Sequence, residues 1–94
     1  MNKTVTLEIV TPERIILTEE IQFLTVLAEK GELGILPEHT FLLAQLRPGI
    51  IRITDAHGKV KSIDSGGGFL EVHPKKVTVF AEFVTMPDWI YLKD

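Results

Sequence analysis

The segment Thr4-Val5-Thr6-Leu7-Glu8-Ile9-Val10 sets the tightest limit on the fold. Val5, Leu7 and Ile9 share one phase, while Thr4, Thr6 and Glu8 share the other. This period of two belongs to a half-buried β-strand, whose successive side chains point to opposite faces. Thr11-Pro12-Glu13 ends the run, because proline removes a backbone donor and restricts its predecessor. Short segments of the same kind recur along the chain. Arg14 to Thr18 reads as a second strand. Ile21 to Ala28 reads as a third, apolar on nearly both faces and therefore covered on both. Glu29 to Gly34 reads as a turn. Ile35 to Pro37 is short and extended, and Thr40 to Leu46 reads equally as a strand or a helical turn. After the Pro48-Gly49 turn, Ile50 to Thr54 and Lys59 to Asp64 form a hairpin across Asp55-Ala56-His57-Gly58. Phe69 to His73 and Val77 to Ala81 close the series. Eight or nine short strands at such spacing predict an all-β antiparallel sandwich or barrel.

Composition supports this reading and excludes others. Valine, isoleucine and threonine together exceed a quarter of the 94 residues, an enrichment that favours strands. A chain of this length builds one core. The expected division is a sandwich domain over residues 1–85 and a short tail over 86–94, with Trp89, Ile90, Tyr91 and Leu92 docked. With 10 basic against 13 acidic residues, no cationic surplus exists to neutralise a phosphate backbone, so nucleic acid is not an expected partner. Cysteine is absent, so the fold has no disulfide or thiolate metal site to lean on. The N-terminus lacks the apolar run of a signal peptide, and the apolar runs fall far short of the ~20 residues a membrane helix needs.

No segment carries the marks of catalysis. Gly66-Gly67-Gly68 lacks the lysine and hydroxyl residue of a phosphate-binding loop and precedes a strand, so it reads as a bulge or a close strand approach. His39, His57 and His73 lie far apart and have no metal-ligand spacing, which makes solvated histidines the plainer reading. Ser62 and Ser65 stand outside any nucleophile elbow, and Glu29 with Glu32 reads as a charged loop tip. The expectation is a binding or assembly module with no cofactor. An exposed apolar patch would suit it, and Phe23, Phe80 and Phe83 have no certain place in the core. Two rival readings remain open. One is a stand-alone ligand-binding β-sandwich, for which Trp89 and Tyr91 offer little aromatic material. The other is a small enzyme centred on His39 and nearby acids.

Three segments sharpen the choice: Gly31-Glu32-Leu33-Gly34-Ile35-Leu36-Pro37-Glu38-His39, Leu46-Arg47-Pro48-Gly49-Ile50-Ile51-Arg52-Ile53, and Gly67 to Pro74 followed by Lys76 to Glu82. In order and separation they resemble the N-terminal β-sandwich domain of the F-type ATP synthase epsilon subunit. The opening Leu7 to Glu13 is also similar, so the resemblance covers residues 4–84. It implies a flattened antiparallel sandwich of about ten strands. It further implies a non-catalytic rotor subunit that binds the gamma subunit and the c ring within the alpha/beta/gamma/epsilon head and couples proton-driven rotation to ATP synthesis. The implied location is the cytoplasmic side of the bacterial inner (plasma) membrane, peripheral to it.

Residue by residue, the resemblance implies c-ring contacts at Lys30, Gly31, Glu32 and His39. It implies gamma contacts at Thr11 and His39, and Phe80 and Phe83 join them as apolar candidates. Lys30 stands where an acid is usual, Glu38 where glycine is common, Phe41 where proline is common and Gly66 where serine is frequent. The family usually continues into a C-terminal helical hairpin. With this sequence ending at Asp94, neither inhibition by an inserted helix nor ATP binding is expected.

Overall fold

A computed structural model describes residues 3–91. It contains nine strands: β1 (Val5–Val10), β2 (Ile15–Ala28), β3 (Gly31–Ile35), β4 (Leu42–Leu46), β5 (Gly49–Asp55), β6 (Val60–Ser65), β7 (Gly68–His73), β8 (Lys76–Ala81) and β9 (Val84–Thr85). A single helical turn, α1 (Asp88–Tyr91), follows. Of the four tail residues expected to dock, Trp89 does so; the side chains of Ile90 and Tyr91, and the whole of Leu92, lie outside what is described. No helix among the described residues is long and apolar enough to cross a membrane.

The longest strand organises the rest. The sequence predicts two strands separated around Glu19-Glu20; the chain instead runs as one 14-residue strand, β2. The two acids do not interrupt it because each finds a partner within the sheet. Glu20 accepts hydrogen bonds from the Thr4 and Thr6 hydroxyls at β1, and Glu19 accepts one from Lys61 on β6. The first half of β2 pairs antiparallel with β1, from Val5↔Ile21 to Val10↔Ile15. Its second half pairs with β5 on one side and β3 on the other. A register shift between Ile21 and Phe23 in the β5 pairing lets the strand change direction there. One layer is therefore β2-β1-β8-β7-β4 and the other β3-β2-β5-β6-β9, with β2 common to both. The β1–β8 pairing is parallel, and the other pairings are antiparallel.

The inward phase of each strand supplies the core. Val5, Leu7 and Ile9 of β1 meet Leu24 and Val26 of β2, Ile51 and Ile53 of β5, Ile63 of β6, Leu70 and Val72 of β7, and Val77 and Val79 of β8, all essentially fully buried. Burying each such side chain contributes about 1.5–3 kcal/mol. One further expectation needs adjustment. Gly31 to Gly34 is not turn but strand: only Glu29-Lys30 forms the bend, and β3 returns along β2 with Ala28↔Gly31 in register. The long apolar β2 provides the template for that return. Residues 42–46, which periodicity leaves open between strand and helix, form β4. The two-residue β9, with Ser65↔Val84 and Asp64↔Thr85, is too short to leave a periodic signal.

Gly68 permits the close approach that its run of glycines suggests. Its φ is +146°, and a Cβ there would stand 1.8 Å from the Phe80 carbonyl oxygen on β8. Only glycine fits that backbone and that gap.

Candidate functional site: an aromatic outer face beside a charged hairpin tip

The outward phase of β4, β7 and β8 is unusual in what it exposes. Phe69 on β7 pairs with Phe80 on β8, and Gln45 on β4 pairs with Phe69. One step along, Leu43 pairs with Glu71, which pairs with Thr78. At the end of the same face the Phe41 ring lies against His73, with centroids 5.1 Å apart. Leu43 is 62% exposed, Phe69 57%, Phe41 57% and Phe80 45%. Side chains on neighbouring strands of one face stand within contact reach. These residues therefore form a single apolar area across three strands, the kind of surface that marks an interaction site.

Two shallow depressions extend this area in opposite directions. Leu42, Leu43, Ala44 and Gln45 of β4 face Glu29, Lys30, Gly31 and Glu32 at the β2–β3 hairpin tip. On the other side, Phe69 and Phe80 adjoin Val10, Thr11 and Pro12. Lys30, Gly31, Glu32, Phe80 and Thr11 thus lie along one continuous band. Thr11 contributes little side-chain surface: it is buried, and its hydroxyl and backbone amide both donate to the Arg14 carbonyl. His39 sits half-buried in the β3–β4 loop, with Nδ1 2.8 Å from the Thr40 carbonyl oxygen. That loop is tied to the β7–β8 turn by the Glu38 amide, which donates to the Pro74 carbonyl.

Of the three phenylalanines without a certain place in the core, two are exposed. Phe80 is central to the face. Phe83 is 61% exposed and lies against Gly66. Phe23 is half-buried with its ring over Gly34, so it does not join a patch. Phe69, Leu43 and Phe41 belong to the face without being among the candidates the sequence singles out. Phe69 does leave a signal: it falls in the same phase as Glu71 and His73, the polar side of β7. An aromatic residue on the polar phase of a half-buried strand is the mark that finds this surface.

A second cluster sits at one edge of the sandwich. Lys61 Nζ lies 2.6 Å from Glu19 Oε2 and 3.6 Å from Asp55 Oδ2, and all three side chains are nearly buried. Glu19 follows Leu17 and precedes Ile21 in the inward phase of β2. Burial alone would raise the Asp55 pKa; the Lys59 and His57 backbone amides and the Lys61 ammonium outweigh it and hold the carboxyl below its ordinary value.

Comparison with known proteins separates the possibilities. The sequence pattern of the ATP synthase, Delta/Epsilon chain, beta-sandwich domain matches residues 4–87. This chain belongs to that family. An ATP synthase epsilon chain from Desulfatibacillum aliphaticivorans is 44% identical over 82 residues, covering 87% of this chain and 58% of the relative. The epsilon chain of Pelotomaculum thermopropionicum is 46% identical over 80 residues, covering 85% of this chain and 59% of that one. The chain thus spans about three fifths of the length of these relatives. In solved structures, a chain of the Euglena gracilis mitochondrial ATP synthase OSCP/F1/c-ring assembly superposes with a TM-score of 0.83 at 26% identity. It covers 87% of this chain and 52% of the Euglena one. A chain of the Tetrahymena thermophila central stalk/c-ring assembly, at 17% identity and a TM-score of 0.73, shares the fold, covering 89% and 67%. The delta/epsilon β-sandwich is thus the architecture on which the aromatic face and the hairpin tip are mounted.

Proposed function

We propose that this chain is the β-sandwich part of an epsilon-type rotor subunit of a bacterial ATP synthase, with no chemistry of its own. It holds the gamma subunit on its aromatic face and meets the c ring at its charged hairpin tip. Torque then passes between ring and catalytic head through a β-sandwich whose two layers share a strand. The observation that carries the reading is the exposed Phe69–Phe80 pair with Leu43 and Phe41, on a chain whose relatives are named ATP synthase epsilon chain. Aromatic anchors of this kind supply most of the energy of a protein interface. On this reading Phe80, Phe69 and the Thr11 turn face gamma, with Phe83 and His39 at its margins. Lys30, Gly31, Glu32 and His39 face the polar loops of the ring, where a charged rim sets orientation and association rate. The subunit stands peripheral to the inner membrane on its cytoplasmic side, held there through the complex.

The test is capture of the tagged protein from gently solubilised membranes of its source, followed by identification of what travels with it. Gamma, alpha, beta and c subunits should be recovered together. The Phe69→Ser/Phe80→Ser variant should bind purified gamma at least about tenfold more weakly, the loss expected for interface hot spots. Unchanged gamma affinity would remove the face from the interface. A preparation free of all four subunits would sink the rotor reading and bring forward a stand-alone binding module.

A further inference from the structure

The second cluster has an occupant on its outer side. Lys61 Nζ lies 4.9 Å from the centre of the Trp89 ring, on the helical turn α1. Trp89 also donates from Nε1 to the Ser62 carbonyl oxygen of β6, at 2.9 Å, and packs against the core. A lysine ammonium has three donors and no acceptor. Here Glu19 takes one, Asp55 lies near a second, and the indole face covers the side that remains. Glu19 Oε1 is buried without a hydrogen-bond partner among the described residues. The ion cluster is therefore incompletely satisfied, and water reaching it would relieve it.

From this geometry we infer that Trp89 is a releasable latch: it docks the C-terminal turn over the Glu19–Asp55–Lys61 cluster, and its undocking hydrates the cluster and frees the turn. The contacts favour two discrete states over a gradual loosening. Docked, the indole gains a desolvated cation beneath it and one hydrogen bond to the sheet. Undocked, the ammonium and the unpartnered carboxylate oxygen gain solvent, which offsets much of what the indole loses. The segment bearing the latch is short: four residues of helix cannot hold themselves together without it. The inference concerns the sandwich edge and does not rest on the rotor reading.

Trp89 is the sole tryptophan, so its fluorescence reports the latch directly. In a urea titration of the 94-residue chain, tryptophan emission and acrylamide quenching should change at lower denaturant than the far-ultraviolet β signal. Lys61→Met should shift the docked-to-open ratio by about thirtyfold toward open, the scale of a desolvated cation–π contact. Lys61→Arg, which keeps a cation over the ring, should restore docking. If Lys61→Met does not fold, the wild-type titration decides the matter alone. Coincident tryptophan and backbone transitions would overturn the inference and make the turn a fixed part of the sandwich. Native-state quenching as strong as that of free tryptophan amide would overturn it too, because no docked state would then exist.

Discussion

The aromatic face of β4-β7-β8 and the ion cluster of β2-β5-β6 invert the ordinary layout of a small protein. One places phenylalanine and leucine in solvent; the other places a lysine and two acids in the inward phase, almost buried. The face is built from residues that contribute little to folding and have energy left to give to an encounter. The cluster is built from residues that cost energy on burial unless each stays paired. Substitution should therefore weigh on binding at the face and on stability at the cluster. The two regions share a scaffold but answer to different tests.

The largest loss of stability is expected at Gly68, where β7 meets β8. Gly68→Ala forces a Cβ into the Phe80 carbonyl at a strained φ, and should cost about 4 kcal/mol, if the chain folds at all, by adding backbone strain to overpacking. Equilibrium urea unfolding measures it, and near-wild-type stability would show that the two strands can part. At the cluster, Lys61→Met strands two acids and should cost about 3 kcal/mol by the same measurement. Glu19→Leu/Lys61→Met should be less destabilised than Lys61→Met alone, because the buried charge on Glu19 leaves with its partner.

Acid sharpens the contrast further. The Asp55 carboxyl is held below its ordinary value of 3.8 in the folded chain. Its contribution to stability is thus complete above 3.8 and disappears as pH falls through the lower folded value. The stability gap between wild type and Asp55→Asn should be constant near neutrality and shrink below that point, as urea midpoints from neutral to strongly acidic pH will show. A gap that widened in acid would reverse the sign of the coupling.

Two smaller effects lie outside the cluster. Glu38 holds φ at +64°, a conformation that favours glycine. Glu38→Gly should gain about 1 kcal/mol, because the exposed Lys3–Glu38 ion pair it gives up is worth little. Phe69→Ser/Phe80→Ser should change stability by under about 1 kcal/mol while weakening the gamma association proposed for this face. A large loss of stability there would make the face part of the core.

Most of the core is legible in the sequence. The alternation of Val5, Leu7 and Ile9, and of Leu70 and Val72, marks it directly, since side-chain direction in a strand has a period of two. The turns at Pro48-Gly49 and His57-Gly58 are equally plain. Three features are not legible in this way. Glu19 and Glu20 look like a break because a sequence does not show that Thr4, Thr6 and Lys61 arrive beside them from other strands. The Gly31 to Gly34 segment looks like a turn because glycine signals turns, and the pairing with β2 that makes it a strand is tertiary. The aromatic face hides for a simpler reason: phenylalanine suits a core wherever alternation allows it, and only the phase that Phe69 shares with Glu71 and His73 tells otherwise. The apolar character of the tail predicts that Trp89 docks, but nothing in its neighbours names Lys61 as its seat.

The parallel pairing of β1 with β8, Thr6 beside Lys76, also dictates when the molecule can come into being. The first strand leaves the ribosome early and must wait for nearly the last one before its second edge is satisfied. Until then β1 and half of β2 are a hairpin with an open side, marginal in water and ready to pair with the wrong partner. Closure joins contacts from opposite ends of the chain, the arrangement that slows folding most. Synthesis that stalls before β8 would yield an aggregation-prone fragment rather than a smaller sandwich.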